Sequence, residues 1–183
     1  TPPTVVFKSG NNDILNTTTV TVTPSDGTNT DYTAKYTVNA SDINGSVSFE
    51  VSGFQDGNDN VGNTSTAVTD TSSVTIDTIS PTLSKVVMTS SNILNNSLAK
   101  SGETVTLDIS VNEHINTPSI SFSSGSQTIT GPITITGEND SYTAQFGVNA
   151  SDNDGPVSFT ISNLSDLAGN LLSDVTALTS GTT

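Results

Sequence analysis

Hydrophobic residues along this chain recur at every second position in short runs. That is the period of a half-buried β-strand and not the 3.6-residue period of a helix. Val105, Leu107, Ile109 and Val111 fall on one side of such a run, with Thr104, Thr106, Asp108 and Ser110 on the other. Tyr142, Ala144, Phe146 and Val148 repeat the pattern, as do Val157, Phe159 and Ile161. Earlier, Tyr32, Ala34, Tyr36 and Val38 share a face, and so do Val47, Phe49 and Val51. Clusters that favour turns separate the runs, among them Ser101-Gly102, Gly125-Ser126, Asn139-Asp140 and Asn153-Asp154-Gly155. No helical period of useful length appears. In the second half the alternation predicts strands over about 83–89, 104–112, 119–123, 133–136, 142–150, 157–163 and 174–178. Short alternating strands at this spacing predict an all-β fold: a two-sheet antiparallel sandwich with one polar face per sheet.

The two halves of the chain resemble each other. Tyr32-Thr33-Ala34-Lys35-Tyr36 and the following Val38-Asn39-Ala40-Ser41-Asp42 answer to Tyr142-Thr143-Ala144-Gln145-Phe146 and Val148-Asn149-Ala150-Ser151-Asp152, an offset of 142 − 32 = 110. Gly45 to Ser52 matches Gly155 to Ser162 at the same offset. Asp59-Asn60-Val61-Gly62-Asn63 aligns by identity with Asp166-Leu167-Ala168-Gly169-Asn170 at an offset of 166 − 59 = 107, which implies an insertion in the first loop. Collinear identity of this kind predicts tandem repeats. The expected division is 1–77 and 78–183, with Asp77-Thr78-Ile79-Ser80-Pro81-Thr82 as the linker. Pro81 stiffens that linker and removes a ladder donor. The first repeat starts where Thr117 to Phe122 falls in the second, so it lacks the equivalent of about 83–113, two or three strands. Either the chain is cut from a longer protein or another chain supplies those strands. Thr1-Pro2-Pro3-Thr4 reads as the middle of something longer.

Composition narrows the function classes. Only 31% of residues are hydrophobic, a share low enough to suggest disorder, but their alternation argues for folded strands instead. Net charge is −14, from 4 Lys+Arg against 18 Asp+Glu, so nucleic acid and anionic lipid surfaces would repel the chain. Cations and water are the natural partners of its carboxylates. No cysteine is present, which excludes disulfides, thiolate nucleophiles and Cys-ligated metals. A secreted domain without disulfides needs another staple, and bound metal is one candidate. No apolar run approaches the ~20 residues of a membrane-spanning helix.

Several stretches are similar to bacterial immunoglobulin-like tandem repeats of large cell-surface proteins and adhesins. They are Val74-Thr75-Ile76-Asp77-Thr78-Ile79-Ser80-Pro81-Thr82-Leu83, Gly102-Glu103-Thr104-Val105-Thr106-Leu107, Asn112-Glu113, Ser158-Phe159-Thr160-Ile161 and Asp166-Leu167-Ala168-Gly169-Asn170. The resemblance covers nearly the whole chain. It implies immunoglobulin-like Greek-key β-sandwiches, export to the bacterial cell surface, and a role in spanning, adhesion or assembly beside neighbouring repeats of the same or another chain. It is weak as a guide to any surface ligand.

Catalysis finds no foothold in the sequence. The one histidine, His114, stands without a Gly-x-Ser-x-Gly serine, and no phosphate loop is present. His114 reads as a solvated loop residue. Asn-x-Ser/Thr triplets such as those at Asn39 and Asn149 read as turn composition. Outward Thr and Ser are the ordinary polar faces of strands; a sugar platform calls for exposed aromatic rings, and there is no Trp.

Cation binding is the sharper expectation. In a sandwich of this topology Asp77 of the linker, Glu113, Asp166 and Asn170 converge at the pole where the linker enters. Asp42 and Asn44 of the first repeat face them across the junction, and Asp152 and Asp154 line the opposite pole. Clustered hard oxygen ligands suit Ca²⁺, which takes six to eight of them. The competing reading makes Asp42, Asp152, Asp154 and Asp166 turn formers that bond their own backbones. Asp56-Gly57-Asn58-Asp59-Asn60 suggests a calcium loop but lacks the distal Glu of an EF-hand. The functions expected are a spacer or adhesive module stiffened by calcium, a subunit of a fibre built by strand exchange, or a module that grips sugar or ice.

Overall fold

The computed structural model describes residues 1–10, 12, 13, 20–25, 27, 28 and 30–179. They fall into two compact units, Thr1–Ile79 and Ser80–Thr183. Every regular element among the described residues is a β-strand, and every pairing is antiparallel.

Unit 1 contains β1 (Thr4–Ser9), β2 (Asn12–Asp13), β3 (Thr21–Pro24), β4 (Tyr32–Lys35), β5 (Gly45–Ser52) and β6 (Thr75–Ile76). One sheet has the order β2-β1-β5-β6; the other is the β3-β4 pair alone. Val5 and Phe7 of β1 and Phe49 and Val51 of β5 face Val22, Tyr32 and Ala34 across a cleft of about 220 Å³. The rings of Phe7 and Tyr36 meet at 6.4 Å, which ties the two sheets. Yet these side chains are only half buried, and Ile76 is the one fully buried hydrophobic residue among those described in this unit.

Unit 2 contains β7 (Leu83–Ser90), β8 (Thr104–Val111), β9 (Ser119–Ser124), β10 (Gln127–Thr128), β11 (Ile133–Glu138), β12 (Ser141–Gly147) and β13 (Val157–Ser162). Its sheets run β11-β12-β8-β7 and β10-β9-β13. The alternation read along β8 is realised residue by residue: Val105, Leu107, Ile109 and Val111 are buried and the residues between them are not. The register sets Val105, Leu107 and Ile109 opposite Phe146, Ala144 and Tyr142 of β12. Phe122 of β9 and Phe146 of β12 stack across the sheets with centroids 4.8 Å apart. Ile120, Phe159 and Ile161 complete a continuous core. Removing that apolar area from water is the main force holding the two sheets face to face.

Three local features differ from the strands expected. The run over 142–150 stops at Gly147, because the Asp152 carboxylate takes the amide of Asn149 at 2.8 Å and turns the chain. No strand forms over 174–178. Val175 alone pairs with Ile161, and Thr179 then crosses to the other sheet, where its hydroxyl accepts from the Val86 amide at 2.9 Å. A short hairpin, β9-β10, turns at Gly125 and Ser126, both left-handed at φ 54° and 67°, as a two-residue type I′ turn requires.

Candidate functional site

The loop after β13 is built around Asp166, whose side chain is almost fully buried. One carboxylate oxygen accepts from the amides of Gly169 (2.7 Å) and Asn170 (2.8 Å); the other accepts from Asn170 Nδ2 at 2.8 Å. Burial pushes the Asp166 carboxyl up. The donors on Asn170, Gly169 and Ala168 outweigh burial and hold it below the ordinary carboxylate value. Asn116, on the loop after β8, fastens this loop through its side-chain amide to the Asp166 carbonyl and the Ser165 hydroxyl, each at 3.0 Å. Gly169 stands at φ 95°, where a side chain would be strained.

The same device occurs in unit 1, at a position that identity did not reveal. Asp56 accepts from the amides of Asn58 (2.8 Å) and Asn60 (3.0 Å) and from Asn60 Nδ2 (2.8 Å). Hydrogen bonds from the Asn60 side chain and from the amides of Asn60 and Asn58 hold its carboxyl below the ordinary value. Backbone bridges Gln55 to Val61 and Ser165 to Leu171 close the two loops at an offset of 165 − 55 = 110. The structural counterpart of Asp166–Asn170 is therefore Asp56–Asn60, not Asp59–Asn63, and there is no insertion. Identity misled because Asp59, at φ 63°, fills the left-handed place that Gly169 fills in unit 2. Asp tolerates that conformation better than most residues do.

Asp42 and Asp152 are a second matched pair. Each carboxylate accepts the amide of the Asn three residues earlier, Asn39 at 2.7 Å and Asn149 at 2.8 Å. Asp42 also receives the Tyr36 hydroxyl on both oxygens, at 2.7 and 2.8 Å. The Tyr36 hydroxyl is pushed above its ordinary value, first by burial and then by its bond to Asp42. Nearby, Ser9 Oγ donates to the carbonyl of Ile43 (2.5 Å) and Ser124 Oγ to that of Asn153 (2.6 Å). The two turns touch the glycines Gly10 and Gly125, against which Gly45 and Gly155 pack so closely that a Cβ on either would meet backbone. Asp152 and the exposed Asp154 border a cavity of about 720 Å³ at this pole of unit 2. Lys100, Leu98, Phe146 and Val148 line the same cavity.

The remaining residues expected at a metal site divide between the units. Asp77 lies in unit 1, where its carboxylate accepts from Asn44 Nδ2 at 3.3 Å and from the Ile79 amide at 3.1 Å. Asn44 in turn accepts from the amide and hydroxyl of Thr78 at 3.1 and 2.8 Å, so the turn after Asp42 clasps the outgoing chain. Sequence reasoning placed Asn44 near the junction but did not find this clasp. In unit 2 the structure does bring Glu113 and Asp166 together, with carboxylate oxygens within 4.8 Å of each other. Glu113 is half buried and Asp166 is buried. Asn170, expected as a ligand, spends its side-chain amide on Asp166.

Donors on Ala168, Gly169 and Asn170 already surround the Asp166 carboxylate, and the Glu113 carboxylate adds two oxygens beside it. Two carboxylates this close present hard oxygens of the kind a divalent cation takes. Comparison with known proteins finds no matching family model, no matching curated protein and no matching solved structure.

Proposed function

We propose that this chain is a non-enzymatic, immunoglobulin-like region of a bacterial cell-surface protein that works as an extracellular spacer or adhesive module. The observation that carries the reading is the arrangement of unit 2: one sheet ordered β11-β12-β8-β7, the other β10-β9-β13, around a single dry core. That order is the D-E-B-A and C′-C-F order of an immunoglobulin-type sandwich. The Asp152 and Asp166 carboxylates are spent on turns, and His114, the one histidine, is exposed. Recurrence of both turn devices at an offset of 110 supports reading the two units as copies of one design. Acidity keeps such a chain soluble and repels copies of it from one another. Antibody raised against the chain should label intact source cells. Labelling only after permeabilisation would remove the surface assignment.

The proximity of Glu113 and Asp166 favours a second reading, in which unit 2 binds Ca²⁺ weakly at that pair. Water and loop carbonyls would complete the shell, and the affinity would be about millimolar, as in extracellular modules. Titration calorimetry with Ca²⁺ checks this. Heat that Glu113→Gln abolishes would support it, and no heat up to about 10 mM would end it.

A further inference from the structure

Exposed aliphatic side chains gather in two places on unit 2. Leu167 and Leu171 stand 72% and 67% exposed on the loop that holds Asp166, beside the Glu113 carboxylate. Ile93, Leu94 and Leu98 stand 96%, 92% and 62% exposed on the loop between β7 and β8. A lone exposed aliphatic residue is ordinary, but two in succession at one loop tip form a patch.

The β7–β8 loop is built to hold that patch outward. Asn92 Oδ1 accepts from the amides of Leu94 (2.9 Å) and Asn95 (3.2 Å), and Asn95 Oδ1 from that of Ser97 (2.9 Å). The Asn95 carbonyl accepts from the Leu98 amide at 3.1 Å and the Asn96 carbonyl from the Ser90 amide at 2.8 Å. The Leu98 carbonyl accepts from the Ser90 hydroxyl. These backbone groups are bonded within the loop, which is what an apolar medium demands of any backbone that enters it. Charge is arranged in the same sense. The chain has 18 acidic residues, yet none falls between Asp77 and Glu103, a stretch that holds Lys85 and Lys100.

We propose that the Ile93–Leu94 tip inserts into the headgroup region of a zwitterionic lipid bilayer and seats unit 2 against a membrane surface. The contact goes beyond a spacer role, because it gives the module something to rest on. A pocket in a protein is the rival occupant. A stable protein interface takes about 20 residues a side, and this patch has Ile93, Leu94 and Leu98 alone. A bilayer needs no matching shape, since affinity follows the apolar area buried. Inserting Leu167 and Leu171 instead would draw the Asp166 and Glu113 carboxylates out of water, at a cost that two aliphatic side chains do not offset. The net charge of −14 sets the lipid class, because anionic headgroups repel the chain. Two aliphatic side chains bury less than one myristoyl chain, whose binding constant is about 10⁴ M⁻¹. The contact is therefore reversible and weaker, half complete at about 1–10 mM lipid.

The test uses the full chain and vesicles of phosphatidylcholine alone. The chain has no Trp, so Leu94→Trp supplies a single reporter at the tip. Its emission should move to shorter wavelength, saturably, as lipid rises to about 10 mM. Leu167→Trp, an equally exposed control on the other loop, should not move. Both positions are exposed, so melting temperature should stay as in the unsubstituted chain. The unsubstituted chain should float with the vesicles, and Leu94→Asp should weaken flotation at least about tenfold, the worth of one buried aliphatic side chain. Phosphatidylglycerol added to the vesicles should weaken it too. No emission change and no flotation at about 10 mM lipid would overturn the proposal. So would equal shifts from the two reporters, or tighter binding to the anionic vesicles. A shift without lipid that rises with protein concentration would also overturn it, by giving the tip to a second copy.

Discussion

Phe7 and Phe122 occupy matching places in the two units, yet Phe122 is 1% exposed and Phe7 only half buried. Around Phe122 lies a closed core of fifteen buried residues, every one of them in unit 2. Around Phe7 the two sheets meet with one of them reduced to β3 and β4. The turns do not differ in this way: the Asn39/Asp42 and Asn149/Asp152 turns share their amide-to-carboxylate bond, and the Asp56 and Asp166 loops share both bonds from the Asn four residues on. Local hydrogen bonds thus set the shape of each unit, and strand count sets how dry its interior is. A turn can form correctly over an unfinished core, because its donors and acceptors lie within a few residues of each other.

The largest expected effect breaks the comparison at its centre. Phe122→Ala should cost about 3–5 kcal/mol, since the cavity left in a closed core cannot collapse fully. Phe7→Ala should cost less than half as much, since the ring already borders an open cleft. Chemical denaturation of each variant checks this, and equal losses would mean that unit 1 is closed after all. Next comes the glycine contact. A Cβ on Gly155 would lie 2.8 Å from Gly125 Cα, against 3.3 Å for Gly45 and Gly10. Gly155→Ala should cost about 2–3 kcal/mol, with Gly45→Ala the milder of the two.

Acid sharpens the comparison of the loops. Asp56 and Asp166 both have folded-state values below the ordinary 3.8, so each stabilises the fold above that value. That stabilisation is lost as pH falls through the lower folded values. Melting temperature should therefore decline below about pH 4, and Asp166→Asn should flatten part of the decline. A profile unchanged by that substitution would mean the loop bonds are absent in solution. The smallest effect is at the surface: Lys85 and Asp108 sit 3.5 Å apart and exposed, and Lys85→Ala should change stability by no more than about 0.5 kcal/mol.

Much of this was legible in the residues. Strict alternation over 104–111 fixed β8 because both of its faces have one fate each, one side against the core and one in water. The stretch over 174–178 alternates as well, but it has a partner at Val175 only, and pairing is a property of the neighbour and not of the run. The Asp56 loop hid because backbone geometry there depends on a residue that tolerates positive φ, and Gly and Asp both do. At the candidate site, the closeness of Glu113 and Asp166 followed from loops sharing one pole. The donors that already occupy Asp166 did not follow, because Asn170 reads equally well as a ligand or as the partner of a carboxylate.

Hydrogen exchange on the free chain, resolved to single amides, tests most directly the claim that unit 2 is closed and unit 1 is open along β4. The amides of Tyr142–Phe146 should exchange at least about a hundredfold more slowly than those of Tyr32–Tyr36. Equal protection of the two segments would contradict the account.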